Sequence, residues 1–241
     1  MPALKSSKKA RAAKASPVQR QRRKETRPQE LLEAALALFV EKGFAATRAE
    51  EVARRAGVSK GLLYLYYPSK EELFKAVIRQ NLSNIIAQGL ELVAGFEGST
   101  SELLVQLARV WWERVGNTPA GGIIKVIVAE VRNFPDLAQF YVDEVIKPAD
   151  HLLSTAVRRG ITRGEFRELP VQAVAHSLIA PIIFMALHRH SFGACPVQGP
   201  HMDPDLLLQT HLDLALHGLC KPARTAAVTK PQPAKRKAKT T

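Results

Sequence analysis

Gly57-Val58-Ser59-Lys60-Gly61 fits the G-x-S-x-G spacing of a serine hydrolase, in which a strained turn lifts the serine from the top of a sheet as a nucleophile. That chemistry needs a strand ahead of the serine. The preceding residues, "AEEVARRA", instead carry a helical pattern behind a capping signal. Ser59 is therefore read as an N-cap that accepts an amide hydrogen bond at the start of a helix. No constellation of acid, base and nucleophile forms elsewhere, and no enzymatic activity is expected. Among the seven histidines, His188 and His190 lie two residues apart on different helix faces, with no carboxylate or cysteine cluster to complete a site. Cys195 and Cys220 have neither zinc-ribbon nor disulfide-scaffold spacing and suit a reducing cytoplasm. Neither a metal nor a cofactor is expected.

The basic residues offer a different chemistry. The net charge of the chain is +13, but residues 1–28 hold +9 and residues 221–241 hold +7, leaving −3 on everything between. The folded body is faintly acidic. Both ends, rich in Ala, Pro, Lys and Ser and without apolar period, are expected to be disordered tails (1–27 and 221–241) suited to a polyanion such as double-stranded DNA. No apolar segment follows the basic N-terminus, and the longest apolar run, "SLIAPIIFMAL", is short and broken by Pro181. Secretion and membrane spanning are not expected, and the location implied is cytoplasmic.

The elements that position these residues are helices. Leu31, Leu32, Ala35, Leu38 and Phe39 recur at helical spacing between Pro28, suited to a first helical position, and Gly43, suited to a stop. Thr47-Arg48-Ala49-Glu50 reads as a capping box opening a short second helix that ends at Gly57. Ser59 caps a third helix through Tyr66, which Pro68 stops, and Ser69-Lys70-Glu71-Glu72 reads as a second capping box opening a long fourth helix. "GGIIKVIVAEV" has the propensity of a strand, yet no second strand candidate exists to pair with it, so it is read as a buried helix. Pro135 begins another helix, with a kink expected at Pro148. Helices over 170–190 and from Asp203-Pro204 to Leu219 complete an all-α body of about nine helices.

Two short helices joined by a glycine turn, the second headed by small and basic residues, form a helix-turn-helix whose second helix enters the major groove. Helical spacing turns Leu63 and Tyr67 toward Val52, Ala53, Ala56 and Val58, and leaves Gly61 and Leu65 facing outward. Tyr67 is the tyrosine expected to pack and Tyr66 the one least needed for packing.

"LLEAALALFVEKGFAATRAEEVARRAGVSKGLLYLYYPSKEELFKAVI", residues 31–78, resembles the N-terminal domain of the TetR family, bacterial ligand-responsive repressors that are all-helical dimers. The resemblance implies DNA contacts from Thr47 and Arg48, from Ser59, Lys60, Gly61, Leu62, Tyr64, Leu65 and Tyr66, and from Lys70. Leu62 and Leu65 depart from the family pattern, often threonine at the first and histidine or asparagine at the second. Neither can hydrogen-bond a base edge, so readout would rest on Lys60, Tyr64, a thymine methyl at Leu65 and groove shape. These leucines, with the basic tails, leave open a second reading, a low-specificity DNA-coating protein.

Residues 28–80 would then form the DNA-binding domain and 81–220 a helical domain that dimerises and binds an effector. "EVRNFPDLAQFYVDEVIKP" and "VRRGITRGEF" resemble the C-terminal domain of one subgroup of the family. The resemblance implies a homodimer through the helices at 170–190 and 204–219, and a small apolar or amphipathic effector. Adjacent tryptophans lie about 100° apart on a helix, so Trp111 is assigned to the core and Trp112 to the pocket. The other pocket candidates are Phe134, Tyr141, His176, Phe184 and Met185.

Overall fold

The computed structural model describes residues 17–195 and 203–220, with side chains from Arg27 onward. The described residues form nine helices and no strand: α1 (Pro17–Lys42), α2 (Ala49–Arg55), α3 (Lys60–Tyr66), α4 (70–95), α5 (100–116), α6 (Gly122–Glu130), α7 (135–162), α8 (Val171–His190) and α9 (Pro204–Leu219). α4, α5 and α7 each contain one π-helical turn, at Arg79–Ser83, Trp112–Gly116 and Val142–Ile146. The expected boundary between residues 80 and 81 falls inside the first of these turns, so one helix belongs to both domains. "GGIIKVIVAEV" is helical, as the missing partner strand requires.

The first helix starts earlier than expected. α1 begins at Pro17, so Pro28 is inside it and residues 17–27 are helix rather than tail. Arg, Gln, Lys and Glu around the proline are good helix formers, and their propensity carries the helix through the one hydrogen bond that Pro28 cannot make. The rest of the expected tails, residues 1–16 and 221–241, lies outside the described residues. Pro148 likewise has no N–H for the Glu144 carbonyl four residues earlier. That carbonyl accepts the Ser83 hydroxyl at 3.1 Å instead, which ties the π turn of α4 to the π turn of α7.

The core is continuous between the two domains. Phe39, Phe44 and Phe74, all buried, form a ring cluster with centroids 4.7–5.7 Å apart, and Phe134 meets Phe44 edge-on at 4.8 Å. Phe134 thus belongs to the seam between domains. α6 packs on α1 there: Lys125 donates to the Val40 carbonyl at 3.1 Å, and Glu130 accepts the Ala45 N–H at 3.1 Å. A second cluster, centred on Trp112, Met185, Ile182, Leu208 and Leu212, joins α5, α8 and α9. By length and composition Val171–Ala194 could cross a bilayer, but α8 packs against α6, α7 and α9 as part of the helical body.

Candidate DNA interface and effector cavity

The turn that sets α3 against α2 is built by one glycine. Gly57 has φ +66°, a conformation L side chains rarely adopt, and it lets the Gly57 N–H reach the Arg54 carbonyl at 3.2 Å and the Val58 N–H reach the Ala53 carbonyl at 2.9 Å. Ser59 then caps α3, its hydroxyl accepting the Leu62 N–H at 3.2 Å. A helix rather than a strand precedes Ser59, so the nucleophile elbow is absent. Leu63 is fully buried beside Val52 and Ala53, as the periodicity requires.

The outward face of α3 carries Lys60, Gly61, Tyr64 and Leu65, all exposed, with Leu65 at 77%. A Cβ at Gly61 would meet no protein atom within 4 Å, so the backbone there lies open to another molecule. Leu62 is half-buried. Tyr66 departs from its expected role: its ring packs against the main core beside Tyr67, with centroids 6.5 Å apart, and Tyr64 is the exposed tyrosine. Residue 66 lies three positions after Leu63, close enough in angle to share its buried side.

Two expected contact residues are occupied inside the protein. Thr47 is 1% exposed and its hydroxyl donates toward the carbonyls of Gly43 at 2.7 Å and Leu38 at 3.2 Å. It fastens the end of α1, and the N-cap of α2 is Arg48 instead, whose N–H reaches the Glu51 carboxylate at 3.5 Å. Lys70 donates to the carbonyls of Phe44 at 2.9 Å and Ala45 at 3.2 Å, and its ammonium lies 4.5 Å from the centre of the Phe44 ring. A cation at a helix N-terminus opposes its own helix dipole, but here it sits on carbonyls just beyond the C-terminus of α1. Ser69 caps α4 by accepting the Glu72 N–H at 3.1 Å, while the Glu72 carboxylate pairs with Lys75 at 2.9 Å.

Glu50 is a residue that the sequence reading missed. Its carboxylate meets the Lys60 ammonium at 2.5 Å, and this hydrogen bond holds Glu50 below the usual carboxylate range and Lys60 above the usual lysine value. The spacing of ten residues between two helices gives no local signal for the pair.

In the larger domain, a cavity of about 310 Å³ lies among α4–α9. Of the six expected pocket residues only Tyr141 lines it. Burial pushes its phenol up to about 12, so it stays a neutral hydrogen-bonding group. The tryptophans have the expected separation but exchanged roles: Trp111 lines the cavity, and Trp112 is 3% exposed in the second core cluster. On α8 the cavity face is Leu178, Ile179, Ile182 and Ile183, which turns Phe184 to the opposite side and leaves His176 and Met185 just outside the two edges of that face. Met185 is buried against Trp112, Phe184 is 55% exposed, and His176 lies on the outer surface 3.4 Å from Asp150. No cluster of His, Cys, Asp and Glu among the described residues is placed to hold a metal ion.

Comparison with known proteins gives matches over both regions. Residues 31–77 match the family described as bacterial regulatory proteins, tetR family, and residues 97–193 match a tetracyclin repressor-like C-terminal domain. The chain is similar to the uncharacterised HTH-type transcriptional regulator YfiR of Bacillus subtilis, 31% identical over 163 residues that cover 66% of this chain and 77% of that one. It is also similar to the HTH-type transcriptional repressor KstR2 of Rhodococcus jostii, 25% identical over 83% of this chain and 94% of that one. Among solved structures, the transcriptional regulator FadR of Bacillus subtilis, in complex with stearoyl-CoA, shares the fold with a TM-score of 0.62 at 19% identity, over 79% of this chain and 98% of that one.

Proposed function

Since the chain belongs to the TetR family of bacterial transcriptional regulators, we propose that it is a repressor that binds a palindromic operator as a homodimer and is released by a small apolar or amphipathic effector. The observation that carries the DNA reading is the outward face of α3, where Lys60, Gly61, Tyr64 and Leu65 stand exposed on a helix held rigidly by the buried Leu63. An exposed leucine flanked by a lysine and a tyrosine suits a thymine methyl beside phosphates and base edges. Arg48 and the free amides at the starts of α2 and α3 supply backbone contacts.

Pairing with a second copy is supported by apolar side chains left uncovered on α8 and α9, Phe184, Leu206 and Leu214, each at least 55% exposed. A self-complementary apolar face of this kind is what a two-fold interface buries. Phe184→Asp combined with Leu214→Asp should shift the protein from dimer to monomer in light scattering. The cavity supports the effector reading, since about 310 Å³ lies at the lower end of the roughly 300–1,000 Å³ of small-molecule sites. An effector can release DNA only by binding the DNA-free state more tightly.

Selection of bound fragments from random duplex DNA tests the proposal. A dimeric repressor enriches one palindrome with half-sites about one helical turn, or a multiple of it, apart. Enrichment of no sequence would favour the DNA-coating reading.

A further inference from the structure

The cavity wall changes character along one helix. Leu104, Leu107, Ala108, Trp111 and Arg114 follow one another at helical spacing on α5 and all line the cavity, so an apolar stripe ends in a guanidinium. Arg114 donates from Nη1 to the Gln88 side-chain carbonyl on α4 at 2.7 Å. Both side chains are exposed, which puts them at the solvent side of the cavity rather than deep within it. The amide is neutral, so it occupies one donor and leaves the charge uncompensated. Arg114 forms no ion pair among the described residues. Besides Arg114 the polar lining consists of Gln88, Gln106 and the neutral phenol of Tyr141, and no carboxylate lines the cavity.

An apolar chamber with one fixed positive charge and no negative one discriminates by charge. A cationic ligand would lose water and gain no counter-ion, while a neutral apolar ligand would leave the guanidinium as it is. An anion on Arg114 gains charge-assisted, potentially bidentate hydrogen bonds from the donors that Gln88 does not use. We propose that the effector is an amphipathic organic anion, with its apolar body against Trp111, Leu107, Leu152 and Ile182 and its anionic end on Arg114. This rests on the cavity being the effector site. The anionic end is a carboxylate or a phosphate, since the guanidinium fork fits both.

The test uses the full chain at neutral pH and calorimetric titration with four probes that share a ten-carbon body: decanoate, 1-decanol, decyltrimethylammonium and decanoyl-CoA. Decanoate or decanoyl-CoA should bind at least about ten-fold more tightly than decanol, with decyltrimethylammonium weakest, as expected for a charge-assisted contact. Binding by decanoate identifies the carboxylate as sufficient, and binding by decanoyl-CoA alone assigns the contact to phosphate. Arg114→Met should lower the affinity of the bound anion about ten-fold, leave decanol unchanged and leave the unliganded melting temperature close to that of the parent. Equal affinity for decanol and both anions, or an Arg114→Met variant that keeps the anion affinity, overturns the proposal. Ala149→Leu, which places bulk in the cavity, separates this from failure of the underlying reading. If that variant, folded, binds decanol and the anions as the parent does, the cavity is not the effector site at all.

Discussion

Replacing Lys70 with Met keeps an unbranched apolar stem out to the ε position and removes the ammonium, which distinguishes a phosphate contact from an internal brace. In the structure Nζ donates to two carbonyls, Phe44 at 2.9 Å and Ala45 at 3.2 Å, and lies 4.5 Å from the Phe44 ring. One partly buried hydrogen bond from a charged donor contributes about 1.5–3 kcal/mol, and an exposed cation–π contact about 0.5–1 kcal/mol. Ordering a lysine offsets up to about 2 kcal/mol of that. The loss should be about 2 kcal/mol, or roughly 4–8 °C in melting temperature for a chain of this size. Protomer concentration must be held fixed, because the melting point of a dimer depends on it. Operator affinity should fall as the α1–α2 loop loosens, but the dependence of log affinity on log salt should keep its slope, since a brace releases no counter-ions. Arg48→Ala is the contrast: an exposed arginine at the start of α2, its loss should lower the slope by about one per half-site and leave the melting temperature nearly unchanged. A Lys70→Met protein with an unchanged melting temperature and a slope reduced by about one would refute the brace and return Lys70 to the phosphate backbone.

Glu50→Gln should release Lys60 and raise affinity for random duplex more than for operator, read by paired titrations. The effect should be flat from about pH 6 to 8, because Glu50 is held below the usual carboxylate range and titrates under that window. On α3, Leu63→Ala should cost about 2–5 kcal/mol of stability in chemical denaturation, whereas Leu65→Ala, at a side chain 77% exposed, should stay within about 0.5 kcal/mol and alter the selected operator instead. Glu130→Ala removes the carboxylate that holds the Ala45 N–H at the seam. It should leave effector binding and DNA binding each measurable while lowering the factor by which one weakens the other, and an unchanged factor would show that the seam carries no coupling.

The residues read correctly from sequence are those whose role is set by the geometry of one turn or one helix face. Ser59 and Ser69 cap the amides three residues on, Gly57 adopts a positive φ, and Leu63 falls on the buried side of α3; each follows from local geometry. The failures share a different property. Lys70 finds its acceptors 25 and 26 residues away, Thr47 turns back to Leu38 and Gly43, and Phe134 finds Phe44 across a domain seam. Trp111 and Trp112 were separable by helical angle, but which one faces the cavity depends on where α8 and α9 lie, and no local pattern encodes that. Pro28 shows the same ambiguity within one helix, since a proline at a first turn and a proline in an interior read alike until the flanking turns are placed. The chemistry of a side chain constrains its partner only by class. A lysine donates equally well to a phosphate or to a pair of carbonyls, and a threonine bonds an amide or a carbonyl. A family position therefore transfers an expected role, and the exposure of the side chain decides whether that role is open to it. On this criterion Arg48, Tyr64 and Leu65 have exposed side chains open to the DNA role proposed for them, while Thr47 and Lys70 are engaged within the loop between α1 and α2.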